Sequence, residues 1–314
     1  MSAQDDEARS EASATGLISA RVARIPYLNA APYYVHWPEL AERTNERWTS
    51  VQMPPRQVGM AMERGEVDAG LMAVADLIRL QSTFEPLVLE RGAQRVSFGI
   101  ANQDRVDSVL LFVRAPEEEA VESSAGPLDR RLALGTEDRD RLHGSVVAVT
   151  GESSTSYRLL RLLLEGRHQT QPASYERLDL SASPPASVDA ALVIGDLALQ
   201  WRHAPPPGWR QAMDLAHEWW IWQQKPFVFA RWAVRKELTP EHKMALATFL
   251  ENALNDGLNR LEEQVIGLPP ELGSPADLEA YLRNFVYELG PKEDRAEEKF
   301  GDLLGQYGIT CTAQ

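Results

Sequence analysis

The stretch of sequence that decides the fold is VARIPYLNAAPYY, which runs from Val22 to Tyr34. It opens with a short apolar run that predicts a buried first strand, and Pro26 ends this strand because proline cannot extend a central ladder. Pro32 fits the first turn of a helix, where its missing N–H is not needed. The loop between the two prolines holds one compact polar side chain, Asn29. Since open α/β sheets bind ligands outside the carboxyl ends of their strands, Asn29 belongs either to a binding site or to the cap of the following helix.

The composition is that of an ordinary globular protein, with 44% hydrophobic and 25% charged residues. A length of 314 residues predicts about two domains. The 46 acidic residues outnumber the 32 basic ones and give a net charge of −14. Nucleic acids and anionic membrane surfaces both require a basic face, so we expect neither as a partner. A small anionic ligand is still compatible with this charge, because a local patch of backbone N–H groups or hydroxyls is enough to bind it.

The N-terminal residues bear on the location of the protein. Residues 1–19 form an acidic stretch, rich in Ala and Ser, that is typical of a disordered tail. They have neither the basic nor the apolar region of a signal peptide, and no apolar run in the chain approaches the roughly 18 residues of a membrane span. The single cysteine, Cys311, excludes a disulfide within the chain. We therefore expect a cytoplasmic protein.

A second candidate binding element follows the buried strand predicted at residues 145–150. The turn after this strand has the sequence GESSTS, and a leucine-rich helix comes next. Its hydroxyls belong to Ser153, Ser154, Thr155 and Ser156. Hydroxyls at a helix N-terminus suit an anion, and we expect this turn to bind one. The alternative is a simple N-cap by Ser153 or Ser154.

The order of elements fits an α/β fold of two lobes around a central cleft, with C-terminal helices that complete the first lobe. We assign residues 20–110 and 232–314 to the first lobe and residues 111–231 to the second. A polar segment at 115–141 is expected to be a surface insertion. The C-terminal pattern predicts only helices, one of them over residues 274–288. Hinged lobes of this kind commonly close on small ligands.

Other candidates for chemistry are few. Asp196 comes directly after a buried strand and before a short helix, where it either faces the cleft or caps the helix. The six histidines are scattered and form no metal-ligand spacing. The sequence has no Gly-rich phosphate loop, no Gly-x-Ser-x-Gly elbow and no Cys/His pairing. We expect neither a metal nor another cofactor.

Taken together, the segments resemble one known family over residues 21–290. Six of them occur in the family's order: RIPYLNAAP at 24–32, GEVDAGL at 65–71, SVLLF at 108–112, S-x-T-S at 153–156, LVIGD-x-AL at 192–199 and PFVFA-x-W at 226–232. The family is that of the chorismate dehydratases, which act in menaquinone biosynthesis by the futalosine route. One such segment alone would be weak evidence, whereas six in order are specific.

The resemblance implies a periplasmic-binding-protein-like fold that has turned to catalysis inside the cell. The implied reaction removes water from chorismate, a dicarboxylate, and gives 3-[(1-carboxyvinyl)oxy]benzoate without a metal or redox cofactor. The family's catalytic Asn and Ser correspond to Asn29 and Ser108. The family's expected carboxylate-binding turn corresponds to Ser153, Thr155 and Ser156, in agreement with the argument from the helix N-terminus.

The chain departs from the family where Asp104-Arg105-Val106 stands in place of Gly-Pro-Val. This change alters the backbone freedom of the loop and adds two charges near the cleft. Arg105 would pair either with a substrate carboxylate or with Asp104. The departure bears on the identity of the substrate more than on the fold.

Two alternatives to a chorismate dehydratase stay open. The first is a cytoplasmic protein of the same fold that binds a small anion without catalysis. The second is the sister enzyme that forms 1,4-dihydroxy-6-naphthoate, whose first loop carries a Pro-Asn-Asp-Thr run where this chain has Tyr27-Leu28-Asn29-Ala30-Ala31. The sequence does not predict the oligomeric state.

Overall fold

The structure, a computed structural model, describes residues 19–44, 47–115, 133–150, 154–180 and 184–311. Three of the sequence predictions fall outside these ranges. They are the disordered tail up to residue 18, most of the surface insertion, and the role of Ser153.

The described chain contains both strands and helices. The strands are β1 (Ser19–Arg24), β2 (Arg47–Gln52), β3 (Ala69–Ala73), β4 (Phe84–Pro86), β5 (Val88–Arg91), β6 (Gln94–Asn102), β7 (Val109–Arg114), β8 (Val146–Val149), β9 (Ser174–Arg177), β10 (Ala190–Ile194), β11 (Trp209–Asp214), β12 (Phe227–Arg235) and β13 (Phe285–Leu289). The α-helices are α1 (Trp37–Thr44), α2 (Pro55–Glu63), α3 (Val74–Arg79), α4 (Thr136–Leu142), α5 (Ser154–Arg161), α6 (Asp196–His203), α7 (Leu215–Gln223), α8 (Pro240–Asn259), α9 (Leu261–Val265), α10 (Pro275–Arg283) and α11 (Pro291–Gln306). Two 3-10 helices (Leu28–Tyr33 and Pro270–Leu272) and a π-helix (Leu162–Arg167) complete the set.

The strands form two sheets, each of which is the core of one lobe. In the first sheet the order is β13-β6-β12-β3-β1-β2, with β4 beside β12 and β5 beside β6. In the second sheet the order is β11-β7-β10-β8-β9. Strands β1, β2 and β3 are parallel to one another, as are β8, β9 and β10, whereas β12 and β7 run antiparallel to their neighbours. Mixed sheets with helices between the parallel strands are typical of α/β folds.

The chain crosses from the first sheet to the second between β6 and β7 and returns between β11 and β12. Strand β7 pairs only within the second sheet and β12 only within the first. The lobe limits predicted at residues 110 and 231 fall inside these two strands. Both crossings therefore lie in the loops that precede β7 and β12.

The decisive stretch of sequence forms β1, which lies between β3 and β2 in the first sheet, and the 3-10 helix that follows it. Val22 and Ala23 are fully buried in β1, and the chain leaves the strand at Pro26. A 3-10 helix begins already at Leu28, and Pro32 lies inside it rather than in the first turn of an α-helix. Helix α8 lies against this 3-10 helix, and Gly257 makes the approach possible because a Cβ at that position would stand 2.1 Å from the carbonyl oxygen of Pro32.

One predicted helix is partly wrong. The helix predicted over residues 274–288 ends at Arg283, and the chain continues as strand β13, which pairs antiparallel with β6. The residues from Phe285 to Leu289 alternate between buried and more exposed positions, which is the period of a strand. A run of five residues is short enough to be assigned to a neighbouring helix when the sequence is considered without its partner strand.

No helix in the described ranges is long and apolar enough to cross a membrane.

Candidate functional site

A cavity lies between the two lobes, and we call it the cleft cavity. Its walls come from both sheets, with Ile25, Leu71 and Ile100 on the first side and Ser108, Val109 and Ile194 on the second. Asn29 and Ser156 also line it, so three of the predicted site residues share one space. A larger, open groove along β4, β5 and β6 contains Arg95, Arg231 and Lys243 and none of the predicted residues.

Asn29 enters the cleft cavity from the 3-10 helix that follows β1. Its Oδ1 atom is buried and has no hydrogen-bond partner among the described residues. The cap residue of the 3-10 helix is Tyr27, and no side chain caps that end. Asn29 therefore does not cap the helix that follows β1. A buried acceptor without a donor costs about 1–3 kcal/mol, which a ligand donor in the cavity would recover.

Ser108 lies on the opposite wall, directly before β7, and its side chain is fully buried. The hydroxyl of Tyr281, on α10, donates to Ser108 Oγ at 2.8 Å. The carbonyl oxygen of Val106 is 3.5 Å from the same Oγ atom, which is long for an O–H···O hydrogen bond. The backbone carbonyl of Ser108 accepts from the N–H of Gly195 at 2.8 Å, so the residue is fixed from two sides.

The loop before Ser108 is held by a buried carboxylate. Asp214 caps helix α7 by accepting from the N–H groups of Ala216 and His217. The same carboxylate accepts from the N–H of Val106 at 3.1 Å and from the N–H of Asp107 at 2.8 Å. Burial raises the pKa of the Asp214 carboxyl to about 7, although its backbone hydrogen bonds act in the opposite direction. Asp214 is thus the common anchor of α7 and of the loop that carries Ser108.

Asp107 adopts a left-handed backbone conformation with a φ of 61° directly before Ser108. Few residues other than glycine adopt this conformation without a compensating contact. Here the N–H of Asp107 is bound by Asp214, and its carboxylate pairs with Arg105 at 3.2 Å and with Arg202 at 3.4 Å. Backbone strain held in place by such contacts is common next to reacting groups.

Arg105 does not line the cleft cavity. Its side chain is 45% exposed and pairs with Asp107 rather than with Asp104, and Asp104 instead contacts His217. The amides of Asn102 and Asn284 bind the carbonyl oxygen of Arg105. The two charges that replace the family's Gly-Pro are therefore paired within the protein.

The described side chains of the hydroxyl-rich turn have two roles: one lines the cleft cavity, and two bind the first lobe. Ser156 lines the cleft cavity. Thr155 is fully buried, and its Oγ1 accepts from the N–H of Ala75, at the start of α3 in the first lobe, at 3.1 Å. Ser154 donates to Oδ2 of Asp76, also on α3, at 2.6 Å. Thr155 and Ser154 thus bind one lobe to the other.

Asp196 makes a similar contact between the lobes. Its Oδ1 accepts from the N–H of Leu28, one residue before Asn29, at 3.1 Å. Helix α6 begins at Asp196 and its cap residue is Gly195, which makes no side-chain cap, so the N-cap role does not apply to Asp196. Gly195 has a φ of 66°, and a Cβ there would stand 3.0 Å from the ring of Tyr27. Burial raises the pKa of Asp196, and the Leu28 N–H opposes this shift.

The described walls of the cleft cavity carry no lysine, arginine or histidine. The polar side chains on these walls are those of Tyr27, Asn29, Ser108 and Ser156. Within the described ranges no group of three His, Cys, Asp or Glu side chains is placed to hold a metal ion. The arrangement offers neutral hydrogen-bond donors and acceptors in apolar surroundings, where such bonds are strengthened by the low local dielectric.

For several residues around Ser108, no local sequence pattern indicates that they contact Ser108 or its loop. Tyr281 is 173 positions from Ser108, and Asp214 is 107 positions from Asp107. The only local signal is the N-cap pattern of Asp214 before an apolar helix, which predicts a cap and no link to the loop. Arg202 likewise belongs to a helix with no distinguishing motif.

Two α/β lobes with a cleft between them and two crossings define the class of periplasmic-binding-protein-like folds. Protein AF1704 from Archaeoglobus fulgidus has this fold with a TM-score of 0.67, at 14% identity over 93% of this chain and 98% of that one. The periplasmic aliphatic sulphonate-binding protein SsuA from Escherichia coli gives a TM-score of 0.59, at 16% identity over 94% and 89%. The alkanesulfonate-binding protein SsuA from Xanthomonas axonopodis pv. citri, bound to MOPS, gives 0.57 at 16% identity over 93% and 94%. At these identities the likeness concerns the fold alone.

The family model for menaquinone biosynthesis matches residues 20–306, and the chain belongs to this family. Chorismate dehydratase from Thermus thermophilus is 34% identical over an alignment of 177 residues, and the match covers 52% of this chain. The match takes in 64% of that relative's length, slightly less than two thirds. The family resemblance and the fold class predicted from the sequence are both confirmed.

Proposed function

We propose that the protein is a chorismate dehydratase, a carbon–oxygen lyase that converts chorismate to 3-[(1-carboxyvinyl)oxy]benzoate and water. The observation that carries this proposal is the meeting of Asn29 and Ser108 in one cavity between the lobes of a menaquinone biosynthesis family member. Asn29 follows β1 of the first sheet and Ser108 precedes β7 of the second, so both lobes contribute to the same cavity. A cytoplasmic location stays a prediction from the sequence.

The reaction breaks one ring C–H bond and one C–O bond, and the departing hydroxyl leaves as water. The ring gains a double bond and becomes aromatic, which makes the elimination favourable without a strong base from the protein. The enzyme's task is then to hold the substrate in a reactive geometry and to exclude water. We propose that a substrate carboxylate takes the ring proton.

In this proposal Asn29 and Ser108 act on opposite sides of the substrate. The Asn29 Oδ1 atom lacks a donor, so it is suited to accept from a substrate hydroxyl. The Ser108 hydroxyl is suited to donate to the departing oxygen or to a carboxylate. Hydrogen bonds that strengthen as charge develops lower the barrier more than bonds that are equal in both states.

The substrate carboxylates need donors, and Ser156 is the described hydroxyl of the turn that reaches the cleft cavity. We propose that Ser156 and the N-terminal amides of α5 bind one of them, with Ser153 as a further candidate. Thr155 and Asp196 then serve the substrate indirectly, because they hold the lobes closed over it. To bind the substrate directly, Arg105 would have to give up its ion pair with Asp107.

A further candidate is a small-anion binding protein without catalysis, because the described walls of the cleft cavity carry hydrogen-bonding groups but no lysine, arginine or histidine that could act as a base. Such a protein would bind chorismate or another anion in the cleft cavity and release it unchanged. The sister activity that forms 1,4-dihydroxy-6-naphthoate has no specific observation in its favour.

The test is to incubate the purified full chain with chorismate, in the presence of a chelator and with no added cofactor, and to identify the product by mass spectrometry. We expect a product that keeps the enolpyruvyl group and lacks one water. Recovery of unchanged chorismate with measurable binding would favour the binding protein. Release of pyruvate with 4-hydroxybenzoate would contradict the dehydratase.

A further inference from the structure

Tyr281 and Ser108 form a buried pair of hydroxyls at the edge of the cleft cavity. The Tyr281 side chain is 4% exposed and that of Ser108 is fully buried. The ring of Tyr281 packs edge-on against Phe285 with centroids 5.0 Å apart, which fixes its orientation. Its hydroxyl lies 2.8 Å from Ser108 Oγ, the usual length of a good O–H···O hydrogen bond.

The direction of this hydrogen bond decides what Ser108 can do. Burial raises the pKa of the Tyr281 hydroxyl; the hydrogen bond with Ser108 acts in the opposite direction, and the nearby carboxylates of Asp196 and Asp107 raise the pKa further. The phenol therefore keeps its proton and is available as a donor. When Tyr281 donates, a lone pair of Ser108 is occupied and the Ser108 proton must find another acceptor.

Within the protein that acceptor is poor. The carbonyl oxygen of Val106 is 3.5 Å from Ser108 Oγ, beyond the normal range for a hydroxyl donor. Ser108 itself lines the cleft cavity. A ligand oxygen in the cavity is thus the better partner for the Ser108 proton.

We propose that Tyr281 is a positioning residue which, by donating to Ser108 Oγ, orients the Ser108 hydroxyl as a hydrogen-bond donor into the cleft cavity. The inference rests on the proposed function for its kinetic consequence, because the Ser108 proton would bind the departing oxygen or a carboxylate of chorismate. Without the Tyr281 hydroxyl, Ser108 can rotate and direct its proton elsewhere, so that the donor is present but misdirected. Chains of hydroxyl donors also polarise one another, and the loss of the first member weakens the second.

The kinetic test compares Tyr281→Phe with Tyr287→Phe. Both changes remove one buried hydroxyl, but that of Tyr287 has no hydrogen-bond partner in the described structure. We expect Tyr281→Phe to lower kcat by roughly 10- to 100-fold with KM changed less than about 3-fold, and Tyr287→Phe to leave both within about 2-fold. Equal effects of the two variants would mean that the hydroxyl of Tyr281 serves packing only.

A double variant separates positioning from folding. If Tyr281 acts through Ser108, the change Tyr281→Phe should have little further effect on kcat when Ser108→Ala is already present. A purely structural role would multiply the two losses instead. Full additivity in this cycle would therefore overturn the proposal, even if Tyr281→Phe alone is slow.

A spectroscopic measurement tests the hydrogen bond without any substrate. Protein labelled with carbon-13 at the ring carbon that bears the tyrosine hydroxyl should give a Tyr281 signal, assigned by its absence in Tyr281→Phe, that shifts in Ser108→Ala. An unshifted signal would overturn the inference. If wild type fails to convert chorismate while the signal shifts, the proposed function fails and the orientation of Ser108 stands.

Discussion

Asp196 of the second lobe accepts a hydrogen bond from the backbone N–H of Leu28 of the first lobe, with 3.1 Å between the two atoms. The acceptor and donor are 168 positions apart in the chain. Because Leu28 precedes Asn29, this bond joins the second lobe to the loop that carries a proposed catalytic residue. Thr155 makes the corresponding bond on the other side, to Ala75. The Asp196 bond that links the two lobes therefore also helps to place the loop of Asn29.

The first prediction follows from the Asp196 bond. Asp196→Ala should raise KM for chorismate by roughly 5- to 10-fold, because one hydrogen bond worth about 1 kcal/mol no longer favours the closed cleft. Asp196→Asn keeps an acceptor oxygen and is the matched control, for which we expect KM within about 2-fold of wild type. Steady-state kinetics measure the KM for chorismate of both variants. Equal KM values for Ala and Asn would show that the bond to Leu28 does not govern closure.

The second prediction separates Thr155 from Ser156. Thr155→Val leaves the buried N–H of Ala75 without an acceptor and should lower the free energy of unfolding by about 1–3 kcal/mol. Ser156→Ala should weaken chorismate binding, since Ser156 lines the cavity. Urea unfolding and calorimetric titration of both variants measure the two effects. The reverse pattern would assign the carboxylate to Thr155.

The sequence predicts some parts of this site and not others, and the difference is one of distance along the chain. Asn29 was identified because its loop lies between two prolines whose backbone limits are local properties. The sequence pattern of β13 does not differ from the end of a helix, since only pairing with β6 distinguishes a short alternating run from a helical one. Ser108 came from resemblance alone, and Tyr281 not at all, because their contact joins two elements that share no local pattern.

The third prediction concerns Asn29. Asn29→Ala should reduce kcat by at least roughly 100-fold if the side chain accepts from the substrate as the reaction proceeds. The melting temperature should stay the same or rise slightly, because the change removes a buried acceptor that has no donor. Activity and thermal unfolding are measured on the same preparation. Near-normal turnover in a well-folded variant would rule out the catalytic role.

The fourth prediction concerns the pH dependence that Asp214 gives to stability. Its pKa is about 7 in the folded protein against an ordinary 3.8, so the folded state binds more protons than the unfolded state between these values. The contribution of Asp214 is therefore largest near pH 4 and declines as the pH rises through about 7. A pKa shift of this size corresponds to a contribution of at most about 4 kcal/mol to the free energy of unfolding.

Asp214→Asn tests this dependence. The variant replaces one carboxylate oxygen with an NH₂ group that cannot accept from Val106 or Asp107, so it should be less stable than wild type. The difference in free energy of unfolding should shrink between pH 5 and pH 8, as wild type loses the bound proton and the variant has none to lose. Urea unfolding at four pH values gives the comparison. A difference that is constant with pH would mean that Asp214 does not titrate in this range.

The last prediction concerns the contact between α8 and the 3-10 helix that carries Asn29. A Cβ on Gly257 would stand 2.1 Å from the carbonyl oxygen of Pro32, closer than real Cβ contacts, and the nearest atoms belong to backbone that cannot rotate away. Gly257→Ala must therefore displace the 3-10 helix or tilt α8, and it should lower the free energy of unfolding by about 1–3 kcal/mol, as overpacking typically does. Because Asn29 moves with the 3-10 helix, turnover should fall as well.

Gly301→Ala is the matched control on α11, where a Cβ would meet Ile78 at 3.7 Å in ordinary contact. There the better helix propensity of alanine should raise stability by about 0.5–1 kcal/mol and leave turnover unchanged. If Gly257→Ala proves as stable and as active as Gly301→Ala, the close approach of α8 does not position Asn29.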